Sequence, residues 1–434
     1  MADTALLYLT ALGALLLIGL LCSIFSTKLR LSAVFFLVLS GIGLRFIKLD
    51  GQPLLQVPAD LTLALGVLTL ILVVFDASSK FKLHDIGIHF GGALKLTFIF
   101  LVFTLILFTM ATNMITGASI FISLVFAAFM AGTSPDIAIA VLGGAKHKVI
   151  DFLEIESIIN TPIIVLIPFI IIDLFENVGH VTASAVVPQL VPFAQQIITG
   201  VGTGVVVGLL MFKVMSHFYE EKLSPIAVVA AALLTYVLAE HIGGNGVLAV
   251  TTMAVIYGNL YIVHKQILGS FISIFSSFFQ VLVFILIGLI IEIPLSWEFF
   301  GRSTLLFLAY MIVRWMALQV TFWNKYNWKE KLFMTINAPK GIATAVVIFL
   351  LSAFEIPGLD KVLDYGIIFI IYSILASTIV AKFSHFFIEV VAKSTVEIQT
   401  KKVKVMASQT TPGPTKILEK KKKRKKPKKP KKKR

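Results

Sequence analysis

The sequence predicts an all-α polytopic membrane protein of about 13 transmembrane helices, built as two inverted repeats with crossing broken helices. Three observations carry that reading. Of 434 residues, 58% are hydrophobic and 14% charged, with a mean hydropathy of +0.94; soluble domains average about 45–50% apolar and about 25% charged. Runs long enough to cross hydrocarbon, roughly 20 residues, recur along nearly the whole chain. Two of them are interrupted mid-span by a proline followed directly by a charged residue.

The runs lie at 5–25, 31–48, 61–78, 92–112, 117–142, 149–173, 193–212, 224–241, 246–262, 268–291, 302–322, 331–353 and 362–391, separated by short segments rich in Gly, Pro, Lys and Asn. The first has Asp3 where a signal peptide carries positive charge and no small-x-small cleavage site, so it reads as a retained helix. Alternate loops hold 13 Lys/Arg on one side, Lys28, Lys80 and Lys148 among them, against Arg45, Lys48, Arg302 and Lys361 on the other. By the positive-inside rule the N-terminus is outside and the C-terminus cytoplasmic, and an integral protein of the cell membrane is expected.

The net charge of +15 belongs to the end of the chain. Residues 393–434 hold 18 Lys/Arg against Glu397 and Glu419, whereas the first 392 carry 20 basic and 21 acidic groups. The last 15 residues contain 13 Lys/Arg and two Pro, a composition that predicts a disordered polybasic tail over 392–434. Beside a membrane domain its expected partner is anionic lipid headgroups, at about 1 kcal/mol per basic residue near the surface, with nucleic acid not favoured. The domain reading is therefore 1–391 in the membrane (repeat 5–173, linker helix 193–212, repeat 224–391) and the tail. Cys22, the single cysteine, sits in the first run and supplies neither a disulfide nor a cysteine metal site. No P-loop, HExxH or GxSxG stands in a suitable context, so no enzyme and no cofactor is expected.

Ionisable groups inside a span cost about 2.5–3.5 kcal/mol each on insertion scales and ask for a reason. The candidates are Asp76, Asp136, Glu154, Glu156, Glu240, Arg314 and Lys340. Glu240, beside a Gly-Gly pair, reads as a solvated carboxylate at a helix end. Asp76, followed by SSKFK, fits a cytoplasmic-surface role and a ligand role equally. Asp136 and Lys340 follow Pro135 and Pro339, and a proline removes a helix hydrogen bond and clashes with the preceding turn. Interrupted helices expose N–H groups at one end and carbonyls at the other. Asp136 suits the first, and Lys340 is expected to neutralise the carbonyl ends of the second broken helix. With runs one to six as one repeat, the seventh as connector and the last six as the second repeat, both breaks fall in the fifth span of their repeat. The odd offset inverts the second copy, so the breaks should cross at the centre. Two unrelated proline kinks are the plain alternative. On the sixth span, Glu156, Asn160, Ser157 and Thr161 fall at about 0°, 40°, 100° and 140°, one polar face on an apolar helix. Glu156 then needs a buried partner, and Arg314 is the arginine available.

These residues resemble the monovalent cation/proton antiporter superfamily, with the resemblance covering nearly all of 1–391 and nearest to NhaP-type sodium/proton exchangers. Glu156 to Asn160 is similar to their ES..ND signature, GTSPDIAIAVL to their TDP broken helix and NAPKGIATAVV to GPRG; VVFDASSKFKL, LAEHIGGNGVLAV and NWKEKLFM add support. The resemblance implies a homodimer working by elevator-like alternating access and exchanging Na⁺, Li⁺ or K⁺ for H⁺. The ion-site motif is altered. Thr161 stands where the pattern has the carrier aspartate, Ser134 where TDP has its aspartate and Lys340 where GPRG has arginine. SPDIA resembles the TDIA of NhaA-type proteins, which makes Asp136 a substitute carrier, and Asp76 matches an acidic position on the family's third helix.

Antiport requires one site that holds either a proton or a hard cation. A desolvated carboxylate meets the requirement, because burial favours its neutral form and hard cations favour oxygen. On this reading Asp136 binds Na⁺ or K⁺, with Thr133, Ser157, Asn160 and Thr161 adding neutral oxygens and Asp76 assisting. Glu156 with Arg314 is a structural ion pair, Lys340 compensates charge, and exchange is electroneutral. Two other readings stay open: a degenerate antiporter fold acting as an uncoupled pathway, another solute transporter or a sensor, and a non-transporting scaffold acting through its tail.

Overall fold

The computed structural model describes residues 2–29, 33–49, 52–53, 59–81, 90–134, 147–178, 183–218, 220, 222–260, 265–290, 294 and 296–388. Asp136, with residues 135–142 of the fifth run, and the chain from 389 onward lie outside the described residues.

The helices are α1 (Ala2–Leu29), α2 (Ala33–Arg45), α3 (Ala59–Ser79), α4 (Phe90–Phe103), α5 (Thr109–Thr116), α6 (Ile120–Met130), α7 (Lys148–Val178), α8 (Ala183–His217), α9 (Ser224–His241), α10 (Gly246–Asn259), α11 (Lys265–Ile290), α12 (Trp297–Thr321), α13 (Trp328–Ile336), α14 (Ile342–Leu351) and α15 (Leu359–Lys382). Among the described residues the one strand pairing is a two-residue antiparallel ladder, Lys48–Leu49 with Gln52–Pro53. Among the described residues seven helical segments are long and apolar enough to cross a membrane, five shorter apolar helices accompany them, and α13 with α14 supplies the second broken span. These correspond one for one with the predicted runs, the seventh being longer than expected.

Helix boundaries follow local chemistry. Ser119, Asn245 and Ser296 cap α6, α10 and α12 by accepting from the backbone N–H three residues on. Asn327 and Glu330 form a reciprocal capping box on α13. A feature absent from the sequence reading is a π-helical turn, Thr104–Phe108, which joins α4 to α5. Three tryptophans, Trp297, Trp323 and Trp328, are exposed at helix ends, where indoles suit the level of the headgroups.

Within the unit Met1–Val390, two groups of helices pack internally: α1–α3 with α8–α11, and α4–α7 with α12–α15. They meet where α3, α10 and α11 touch α7 and α14. The second group is clasped at one end by Lys148, whose ammonium lies 2.8 Å from Glu330 Oε1 and so ties the start of α7 to the start of α13. Tyr326 lies between them; burial, then Glu330, pushes its phenol up to about 12.

The first group depends on a close approach of α2 and α11. A Cβ on Gly41 would stand 2.8 Å from Gly288 Cα, so the two backbones meet with no side chain between them. Gly41→Leu is expected to lower the thermal midpoint in detergent by the equivalent of about 1–3 kcal/mol, the usual cost of overpacking. Gly43→Leu, on the exposed side with nothing within 4 Å of its Cβ, is the matched control and should leave the midpoint unchanged.

Candidate functional site

α6 ends at Met130, and Ala131 to Ser134 continue without helix; α13 ends at Ile336, and the chain resumes as α14 only after Asn337–Gly341. These two breaks touch backbone to backbone, the Ser134 N–H donating to the Pro339 carbonyl at 2.9 Å. A Cβ on Gly341 would come within 2.5 Å of Ser134 Cβ, so the crossing needs glycine there.

Lys340 fills the crossing. It is 2% exposed, and its ammonium donates to the carbonyl of Met130, to that of Gly132 at 2.7 Å and to the Tyr310 hydroxyl at 2.5 Å. The expectation that Lys340 neutralises carbonyls of its own helix is thereby corrected: its partners are the carbonyl end of the first broken helix. The reason is the crossing itself, which sets the end of α6 against the second break. The second break is held instead by α15, where Ser373 Oγ accepts from the Lys340 N–H and Ser377 Oγ donates to Asn337 Oδ1, both at 2.9 Å.

The polar face of α7 divides into three directions. Asn160 Nδ2 donates to Thr133 Oγ1 at 2.6 Å, joining the sixth span to the first break. Thr161 turns its hydroxyl along its own helix, donating to the Ser157 carbonyl at 2.7 Å. Glu156 meets Arg314 of α12 in a two-pronged pair, Nη1 to Oε1 at 2.5 Å and Nη2 to Oε2 at 2.7 Å, both side chains fully buried. The guanidinium also lies 4.7 Å from the Phe100 ring centroid.

Asp76 pairs with Lys80, four residues on, at 2.7 Å near the end of α3, rather than with the residues of this cluster. Glu240 accepts from the Gly246 N–H at 2.7 Å, and Glu154 is exposed on α7. Asp136 lies outside the described residues. Among the described residues no three His, Cys, Asp or Glu gather as a metal site. Among the described residues the crossing offers neutral oxygens, and the carboxylate near it, Glu156, is taken up by Arg314. A cavity of about 500 Å³ opens elsewhere, at the α5–α6, α11–α12 and α14–α15 connections, and includes no residue of the crossing.

Tyr310 is the residue that sequence reasoning missed. Its ring is held edge-on by Phe100, Phe108 and Phe369, with centroids 5.2–5.8 Å away, and Lys340 lies 3.8 Å from its centroid. The available signal was its place in YMIVR, one helical turn before Arg314 and therefore on the same face.

Residues 13–388 match the family described as sodium/hydrogen exchanger, transmembrane. The chain is 24% identical over 382 residues to Na(+)/H(+) antiporter 1 of Methanocaldococcus jannaschii, covering 81% of this chain and 84% of that one. It is 23% identical over 289 residues to the Na(+)/H(+) antiporter ApNhaP of Aphanothece halophytica, covering 65% and 54%. In three dimensions it superposes on the sodium proton antiporter MjNhaP1 from Methanocaldococcus jannaschii at pH 8 with a TM-score of 0.72 and 20% identity, over 86% of this chain and 97% of that chain.

Removing one member of a buried pair strands a charge, at about 3–5 kcal/mol, whereas replacing both by apolar groups is often neutral. Arg314→Met and Glu156→Leu alone should each depress the thermal midpoint strongly, and the double variant should recover most of the loss. A double-mutant cycle in detergent measures the coupling.

Proposed function

The chain belongs to the sodium/hydrogen exchanger transmembrane family, and from that premise we propose that it exchanges a monovalent cation, Na⁺, Li⁺ or K⁺, for protons by alternating access at the crossing of its broken helices. The observation that carries the reading is the pair of breaks held together by Lys340 and by the Ser134–Pro339 bond, with the buried Asn160–Thr133 pair beside them. An ion in mid-membrane must exchange its water for oxygens of the protein, and interrupted helices supply them where regular helices do not.

On this reading Asp136, two residues beyond Ser134, carries cation and proton in turn, and exchange is electroneutral. Thr133, Ser157, Asn160 and Thr161 contribute neutral oxygens, with Asp76 in an assisting role. Glu156 with Arg314 keeps α7 fixed to α12, and Lys340 balances the carbonyl end of α6. Two groups of helices meeting along α3, α10 and α11 against α7 and α14 suit a movement of one group past the other. The protein acts as a homodimer in the cell membrane, N-terminus outside, with its polybasic tail on anionic lipid.

Thr161 favours a second reading. Its hydroxyl is committed to its own helix at the position of the family's carrier aspartate, which suits an uncoupled pathway or a sensor. Dequenching of a pH dye in proteoliposomes after addition of Na⁺, Li⁺ or K⁺ separates the two. The parent should release protons, Asp136→Asn should abolish the signal, and removal of residues 393–434 should leave flux intact. Full activity in Asp136→Asn rejects the carrier assignment; a silent parent rescued by Thr161→Asp establishes the second reading.

A further inference from the structure

Among the described residues most buried threonines bond their own helix, although the Thr109 and Thr344 hydroxyls have no partner. Thr69, Thr104, Thr112 and Thr321 each donate to the carbonyl four residues back. Thr97 in α4, 4% exposed, does not, and its hydroxyl has no protein partner. Asn160, 2% exposed, spends Nδ2 on Thr133, while its Oδ1 likewise has no partner. Both residues line the same cavity of about 10 Å³, walled otherwise by Phe100, Leu101, Ala131, Ile163 and Ile164.

We infer that this cavity is the site of one structural water, bonded to Thr97 Oγ1 and Asn160 Oδ1, and that Thr97 acts through it as a positioning residue for the crossing. The volume matches the lower bound for a single water, about 10–15 Å³, and a buried water makes roughly two to four hydrogen bonds. Two side-chain oxygens fall short of the oxygen shell that a dehydrated hard cation needs. The two groups are also chemically complementary to water: an amide oxygen that accepts and a hydroxyl that both donates and accepts. A donor at Oδ1 decides which way the amide faces. With Oδ1 satisfied on the α4 side, Nδ2 stays on Thr133, whose hydroxyl oxygen is then presented in one orientation. Without it the amide is free to reverse and turn an acceptor toward Thr133.

The inference rests on the reading of the crossing as the cation site, and its test separates the two. Thr97→Val removes the hydroxyl at nearly constant volume; Thr97→Ser keeps it. In proteoliposomes Thr97→Val should raise the apparent KM for Na⁺ about three- to tenfold while holding the maximal rate within about twofold, and Thr97→Ser should stay near the parent. Cryo-EM at water-resolving resolution should show a density peak within hydrogen-bond reach of both oxygens in the parent and in Thr97→Ser, and none in Thr97→Val. No peak in the parent, a Tl⁺ peak at that position, or an unchanged KM in Thr97→Val overturns the inference. If the parent moves no protons, the transport reading fails while the water remains decided by its density. Positioning is then decided by the Asn160–Thr133 separation in Thr97→Val, which should widen beyond hydrogen-bond distance; an unchanged separation overturns it.

Discussion

Interrupting a helix in hydrocarbon frees backbone carbonyls and N–H groups that no solvent can satisfy, and the rest of this structure depends on how that debt is met. Met130 and Gly132 would face apolar side chains if Lys340 did not reach them from the other broken helix. The exchange is mutual, because a buried ammonium is itself costly and three oxygen acceptors offset its lost hydration. A lysine at this point is a compact charge with three donors, matched here by three acceptors. Each break supplies hydrogen-bond partners to the other, so the crossing is one connected unit.

That object is anchored through α12. Tyr310 and Arg314 project from one face of it, the first to Lys340 and the second to Glu156 of α7. A single helix thereby secures both the broken segment that follows it and the polar span from the opposite half of the chain. α15 holds the second break from another side with two serines one turn apart, Ser373 and Ser377. Polar contacts concentrate inside α4–α7 and α12–α15, whereas α2 and α11 meet through glycines and apolar surface. The moving parts of a transporter built this way would be whole bundles, since the site cannot deform without stranding a charge.

Much of the architecture was legible because hydropathy and proline positions act locally. A run of apolar residues reads as a span wherever it lies, and Pro135 and Pro339 mark interruption from their own chemistry. Charge extends the reach somewhat: one intramembrane arginine and one glutamate on a polar face have few other partners. Direction across the crossing was not legible. Spacing alone points Lys340 to its own helix, because sequence says nothing about which end of another helix lies opposite; only the packing does. Tyr310 and Thr97 stand out little in the sequence for a related reason. A tyrosine or threonine among Ile, Val and Phe is ordinary in a span, and the role of these two rests on what packing sets opposite their hydroxyls: Lys340 for Tyr310, and the cavity shared with Asn160 for Thr97.

The π-helical turn at Thr104–Phe108 has a bearing on how the chain can change. Phe100 and Phe108 both press edge-on against Tyr310, although they are eight residues apart. In a regular helix that separation rotates side chains by roughly 80°, whereas seven residues return them to within roughly 20°. The wide turn absorbs the surplus residue and brings both rings to one target. Loss of a single residue between 104 and 108 would therefore straighten the helix while leaving the phenylalanine contacts aligned. The surplus residue is thus accommodated without turning either ring away from Tyr310.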